Sequence, residues 1–207
     1  MDNGAVRRTV QSYNQIAGKY AAKWFDEPVV EPYLNRFIPL VQGRGWVADV
    51  GCGPGRDLAY LLKHGVRTIG IDLSMSMLVE ARRRVPEGVY VLADCRQLPF
   101  RSDSLAGIWA CASLLHLPRS DLALALSEFA RVLYHGHLFL GLKEGDGEQW
   151  TRGPDGSDRF FTYYHPAEIE SALGRAGFEL IELIRNIDSS ATGTTWINAY
   201  AEQAKSS

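Results

Sequence analysis

Three aspartates and a cluster of glycines are the residues here best suited to holding a ligand. Residues 47–57 read Val-Ala-Asp-Val-Gly-Cys-Gly-Pro-Gly-Arg-Asp, so an apolar segment carrying Asp49 runs into Gly51, Gly53 and Gly55, and a polar helix start follows at Arg56. Glycine lets a backbone adopt positive φ and approach a ligand closely. A helix start offers unpaired N–H groups to a negative atom. Asp72 closes the next apolar segment about twenty residues past Gly51, the interval of a ribose-binding carboxylate in a nucleotide-binding βαβ unit. The glycine spacing also narrows the nucleotide. A dinucleotide fingerprint G-x-G-x-x-G would need a small residue at 56, where this chain has Arg56, and no G-x-x-x-x-G-K-[ST] run occurs. The pattern points to an adenosine derivative without a diphosphate.

These residues need a scaffold, and the apolar periodicity supplies one. Val6, Val10, Tyr13, Ile16, Ala17 and Tyr20 recur at helical spacing within residues 5–24. Pro28, Pro32 and Pro39 break up the next stretch, with a short second helix around Tyr33 to Ile38. Strands are expected at 46–50, 67–71, 89–93, 105–111 and 137–143, alternating with helices at 56–64, 75–84 and 120–133. A helix follows Pro166, and two strands close the chain at 178–184 and 194–201. This rhythm predicts an α/β fold with a mostly parallel sheet and helices on both faces. The organisation expected is one domain over 1–207: a helical cap at 1–43, a ligand-binding core at 44–143, a polar, glycine-rich lid within 144–165, and a helix with strands at 166–207.

Three segments in order resemble motifs of the class I S-adenosylmethionine-dependent methyltransferases, and the resemblance runs from about Tyr13 to the end. They are Asp49-Val50-Gly51-Cys52-Gly53-Pro54-Gly55, Gly70-Ile71-Asp72-Leu73-Ser74, and Ala93-Asp94-Cys95-Arg96-Gln97-Leu98-Pro99-Phe100. The resemblance implies a Rossmann-like seven-stranded sheet whose last strand pair includes one antiparallel strand, and S-adenosylmethionine as cofactor. It implies that Gly51, Cys52, Gly53 and Gly55 meet the amino-acid end, Asp72 the ribose hydroxyls and Asp94 the adenine edge. Leu73, Met77, Cys95, Arg96 and Ala110 join the cofactor-binding set, with Tyr13 and Tyr20 covering the methionine moiety or packing as core. Asp49 braces the loop, contacts the ligand, or does both. Arg56 pairs with Asp57 or Asp49, or orients the cofactor's amino-acid end.

Methyl transfer needs alignment and exclusion of water before it needs acid or base. A base matters only for an acceptor protonated at neutral pH; the candidates are His116, after the fourth strand, and Glu144 or His165 near the polar segment. Tyr163 and Tyr164 line the acceptor pocket or pack the lid. Ala110-Cys111-Ala112-Ser113 lacks the Asn/Asp-Pro-Pro-Tyr/Phe run of adenine-N6 methyltransferases and the Pro-Cys pair of cytosine-C5 enzymes. A small-molecule acceptor is therefore expected, with no nucleic acid.

Composition agrees with that expectation. The chain has 207 residues, 46% of them hydrophobic, and a net charge of −2, which makes no electrostatic case for nucleic acid or an anionic membrane. Cys52, Cys95 and Cys111 lack C-x-x-C spacing, and no signal pattern or membrane-length apolar run is evident, so a cytoplasmic location is expected. His135-Gly136-His137 is expected to be a turn and not a metal site. The rival functions are a nicotinamide-dependent oxidoreductase, which Arg56 argues against, and a non-catalytic protein that binds the same adenosyl ligand.

Overall fold

The computed structural model describes residues 3–153, 155–187 and 193–204. Two helices come first, α1 (Asn3–Trp24) and α2 (Glu31–Val41). The alternating core follows: β1 (Trp46–Val50), α3 (Arg56–Lys63), β2 (Arg67–Asp72), α4 (Met75–Arg84), β3 (Val89–Leu92), β4 (Leu105–Cys111), α5 (Leu122–Val132) and β5 (Leu133–Lys143). A hairpin of β6 (Glu148–Arg152) and β7 (Asp158–Thr162) precedes α6 (Pro166–Arg175), β8 (Phe178–Ile187) and β9 (Thr195–Gln203).

Seven strands form one sheet in the order β3-β2-β1-β4-β5-β9-β8. The first five are parallel, and β9 runs antiparallel to both β5 and β8. Side chains alternate across the central strands because successive Cβ atoms point to opposite faces. Ala48, Val50, Ile108, Ala110, Leu138 and Leu140 pack with Leu122, Leu126 and Phe129 of α5. Val47, Trp109, Phe139 and Tyr200 pack with Phe37 and Val41 of α2 and Leu61 of α3. Strand order reverses between β1 and β4, and open α/β sheets bind ligands at the carboxyl edge of such a switch point.

Three local readings change. Residues 31–41 form the second helix, longer than the Tyr33 to Ile38 expected: Pro32 sits in its first turn, where an N–H would have no partner, and Pro39 lies inside its last turn, where it removes one backbone bond two residues before the helix ends. The His135-Gly136-His137 turn belongs to β5, which starts at Leu133; His135 takes φ of 45° where the pairing with β4 shifts register. His137 is buried, with its Nε2 2.8 Å from Arg44 Nη1. The polar stretch expected as a lid contains the β6–β7 hairpin, fastened to α1. Arg8 pairs with Asp158 at 2.8 Å, Ser12 Oγ donates to the Asp158 carbonyl at 2.6 Å, and the Phe160 N–H donates to Thr9 Oγ1 at 3.1 Å. Among the described residues no helix is long and apolar enough to cross a membrane.

Candidate active site

A cleft of about 1090 Å³, mouth included, opens at the switch point. The glycine loop forms its floor, and its three glycines serve different ends. Gly51 has φ of 76°, and a Cβ there would fall 2.3 Å from Ser113 Cβ, so the loop packs tightly against the exit of β4. Gly53 has φ of 52°, and a Cβ there would meet nothing within 4 Å, so its backbone lies open to the cleft. Gly55, with φ of 88°, starts α3 and leans on Ala81 of α4.

Asp72 ties this loop to the second strand. Its carboxylate accepts the Gly53 N–H at 2.9 Å and the Ser74 N–H at 2.8 Å. Ser74, not Asp72, caps α4, accepting the Met77 N–H at 3.2 Å. Burial raises the Asp72 carboxyl, and its backbone donors oppose that shift. Each carboxylate oxygen can accept more than one hydrogen, so lone pairs remain for a ligand diol.

Asp94 faces the same cleft from beyond β3. Arg96 holds it through Nη2 at 2.6 Å and Nε at 3.0 Å, and turns Nη1 to Asp121 at 2.5 Å. Burial alone would raise the Asp94 carboxyl; the hydrogen bonds and charge of Arg96 outweigh it and leave the group below its ordinary value. Arg96 itself stands behind Asp94, outside the cleft wall.

The acids under the loop divide the work. Asp57 lines the cleft, taking Arg56 Nε at 2.6 Å and the Trp109 indole N–H at 2.8 Å. Asp49 is 2% exposed, does not reach the cleft wall, and is raised well above the carboxylate range by burial and the neighbouring Asp57. Its Oδ2 is buried without a hydrogen-bond partner.

The opposite wall is aromatic. Tyr13 and Tyr20 of α1 meet edge to face at 5.6 Å. Tyr13 Oη lies 2.8 Å from His116 Nε2, and His116 Nδ1 lies 2.6 Å from the Phe160 carbonyl. A carbonyl only accepts, so Nδ1 carries the proton and Nε2 accepts from the Tyr13 hydroxyl. Burial lowers His116 to about 3, assisted by the charges of Arg159 and Lys143, so the imidazole is neutral at pH 7.

The cleft thus gathers Tyr13, Tyr20, Gly51, Cys52, Gly53, Arg56, Asp72, Leu73, Met77, Asp94, Cys95 and His116. It leaves Asp49, Gly55, Arg96 and Ala110 in the layer behind; Cys111, Ala112 and Ser113 form the wall where Ala110 was expected. Glu144 is turned to Arg185 through two 2.7 Å contacts, and His165 to Asp146 at 2.9 Å, so neither of these base candidates lines the cleft. Tyr163 and Tyr164 also lie outside it. Asp57, Trp24 and Ser113 escaped the sequence reading. For Asp57 a signal existed, since it directly follows the loop and a buried tryptophan in β4 needs an acceptor.

A parallel sheet with an acid-lined cleft at its switch point, reached by a glycine turn, defines a nucleoside-binding α/β protein of Rossmann-like type. The methyltransferase-domain family model matches residues 47–136. Methyltransferase GfsG of Streptomyces halstedii is 41% identical over 97 residues, covering 44% of this chain and 34% of that protein. O-methyltransferase resE of Aspergillus sclerotiorum is 32% identical over 149 residues, covering 66% of this chain and 55% of that protein. The chain therefore spans about a third to a half of the length of these curated relatives. In fold it is similar to the Burkholderia thailandensis 1,6-didemethyltoxoflavin-N1-methyltransferase solved with S-adenosylhomocysteine, at a TM-score of 0.77 and 20% identity over 97% of this chain and 89% of that one. Residues 47–136 therefore carry a methyltransferase domain, and the fold is that of S-adenosylmethionine-dependent methyltransferases of known structure.

Proposed function

We propose that this protein transfers a methyl group from S-adenosylmethionine to a small-molecule acceptor. The observation that carries the reading is the Asp72 carboxylate, joined to the open face of Gly53 at the end of β2. Asp72 would hold the ribose hydroxyls and Asp94 the adenine amino group, with Leu73, Met77 and Cys95 beside the purine. Gly51, Cys52 and Gly53 would cradle the amino-acid end, with Gly55 shaping the turn. Asp49, Arg96 and Ala110 would act from behind, by setting the loop, Asp94 and the end of β4.

The charge of the cleft suits this ligand. Asp57, Asp72 and Asp94 line it, and its cation, Arg56, is already paired with Asp57. Such a surface favours a sulfonium and an ammonium group and disfavours the diphosphate of a nicotinamide dinucleotide. When bound, S-adenosylmethionine supplies a methyl carbon made electrophilic by its sulfonium. The protein aligns the acceptor with it and keeps water out: Tyr13 and Tyr20 offer ring faces to a cation, while α1, braced by the hairpin, covers the cleft. His116 is a positioning residue, holding the Tyr13 hydroxyl in place.

Names among the relatives, such as O-methyltransferase, support a small acceptor. The net charge of −2 and the acidic cleft support an acceptor that is not nucleic acid. The free thiols of Cys52, Cys95 and Cys111 support a reducing compartment, the cytoplasm. Calorimetry tests the reading: S-adenosylhomocysteine should bind and NADH should not. Binding of NADH in preference would sink it.

A further inference from the structure

Arg159 is a half-buried cation beside Tyr13, just outside the cleft lining; among the described residues no carboxylate forms an ion pair with it, and only the charge of Asp155 reaches it. It sits on β7, on the face it shares with Phe161, with its guanidinium carbon 5.7 Å from the Tyr13 ring centre and 5.9 Å from that of Phe161. Its charge reaches the Tyr13 hydroxyl, and its Nε is buried without a partner. Among the described residues no carboxylate comes within 4.0 Å of it, whereas Arg56 has Asp57, Arg84 has Glu80, and Arg96 has Asp94 and Asp121. Asp155, the acid whose charge reaches it, spends Oδ1 on the Ser157 N–H and hydroxyl at 3.0 and 2.5 Å. Lys143 adds a second positive charge on this side, its Nζ 3.9 Å from the Phe161 ring centre. A half-buried guanidinium gains from a paired anion, and a carboxylate matches its fork.

A second observation concerns protons. His116 has Nδ1–H given to Phe160 and Nε2 filled by Tyr13. Glu144 and His165 are paired elsewhere. An acceptor that had to lose a proton would find no ready base among these groups, whereas a carboxylic acid is already ionised at pH 7.

We propose that the acceptor is an ionised carboxylic acid, gripped by Arg159 and methylated on a carboxylate oxygen. The inference rests on the methyl-transfer reading above. A lone pair of the carboxylate oxygen forms the new O–C bond. The carbon–sulfur bond breaks with its electron pair left on sulfur, which becomes a neutral thioether. The acid's negative charge and the sulfonium's positive charge cancel, and no proton moves. Val6, Val10 and Leu117 line the cleft on this side, so the body of the acid is apolar.

The test uses octanoate, benzoate, cinnamate and adipate, each beside its primary amide, titrated into protein loaded with S-adenosylhomocysteine. An acid should bind and its amide should not. Arg159→Gln should weaken acid binding roughly 10- to 100-fold, with Arg159→Lys intermediate and S-adenosylhomocysteine affinity unchanged in both. With S-adenosylmethionine the product should be a base-labile methyl ester, formed at a rate flat from about pH 6 to 8. Absence of acid binding, equal binding of the amides, or an Arg159→Gln variant that binds acids normally would overturn the proposal while leaving the methyl-transfer reading intact. Failure of the protein to bind S-adenosylhomocysteine at all would overturn both.

Discussion

Asp72 and the two glycines nearest it have separable jobs, and single substitutions distinguish them. Replacing Asp72 with alanine removes the acceptor for Gly53 and Ser74 and, in the proposed function, for the ribose. S-adenosylhomocysteine affinity should fall by about 1–3 kcal/mol, measured by calorimetry; unchanged affinity would refute the ribose role. Gly51→Ala forces a Cβ to 2.3 Å from Ser113 Cβ at φ of 76°, so denaturant melts should show a loss of about 3 kcal/mol or more. Gly53→Ala meets open space and carries only the left-handed backbone cost of about 1–2 kcal/mol. Its Cβ would stand in the cleft, so it should lose cofactor affinity more than stability. The reverse ranking of these two variants would mean that the loop does not face the ligand as described. The sequence shows three glycines in a row of alternate positions; which of them packs and which opens depends on Ser113 and Ala81, 62 and 26 residues downstream of Gly51 and Gly55.

Between elements, the link of consequence joins α3 to β4. Trp109 is fully buried, stacked on Phe139 at 3.9 Å, and its indole N–H depends on Asp57. Asp57→Ala strands that donor and releases Arg56, and should cost about 2–3 kcal/mol in urea unfolding. A loss below about 0.5 kcal/mol would show that water replaces the carboxylate. The hairpin and α1 form a second such unit, joined by Arg8, Thr9 and Ser12. Polarity and glycines led the sequence reading to a lid at 144–165. The strands within it are marked by Trp150, Phe160 and Phe161, whose partners on α1 and at His116 are far along the chain.

At the scale of the molecule, buried titratable groups couple stability to pH. His116 takes a proton near pH 6.5 when unfolded but only near about 3 when folded. Between those values the unfolded state holds more protons, so this term lowers stability as pH falls from about 7 toward 3. Asp49 and Asp72, raised by burial, act oppositely: the folded state keeps their protons longer, and stability falls as pH rises through their folded values. His116→Gln removes the first term alone. Wild type should therefore lose more stability than this variant between pH 7.5 and 5 in urea unfolding; equal losses would show that His116 titrates normally.

The alternation of strands and helices in the core, the glycine turn, and the acids at the ends of β2 and β3 follow from the sequence by itself. They rest on local causes: apolar periodicity, φ requirements, and intervals set by one βαβ crossover. Only the tertiary structure decided that Arg56 belongs to Asp57, that Arg96 supports Asp94 from behind, that Tyr13 fills His116 Nε2, and that Arg159 forms no ion pair among the described residues. The Tyr13–His116 contact joins residues 103 apart, and the tie of α1 to the hairpin through Ser12 and Asp158 joins residues 146 apart. Such partners are chosen by how helices and hairpin pack over the sheet, which no short-range pattern encodes.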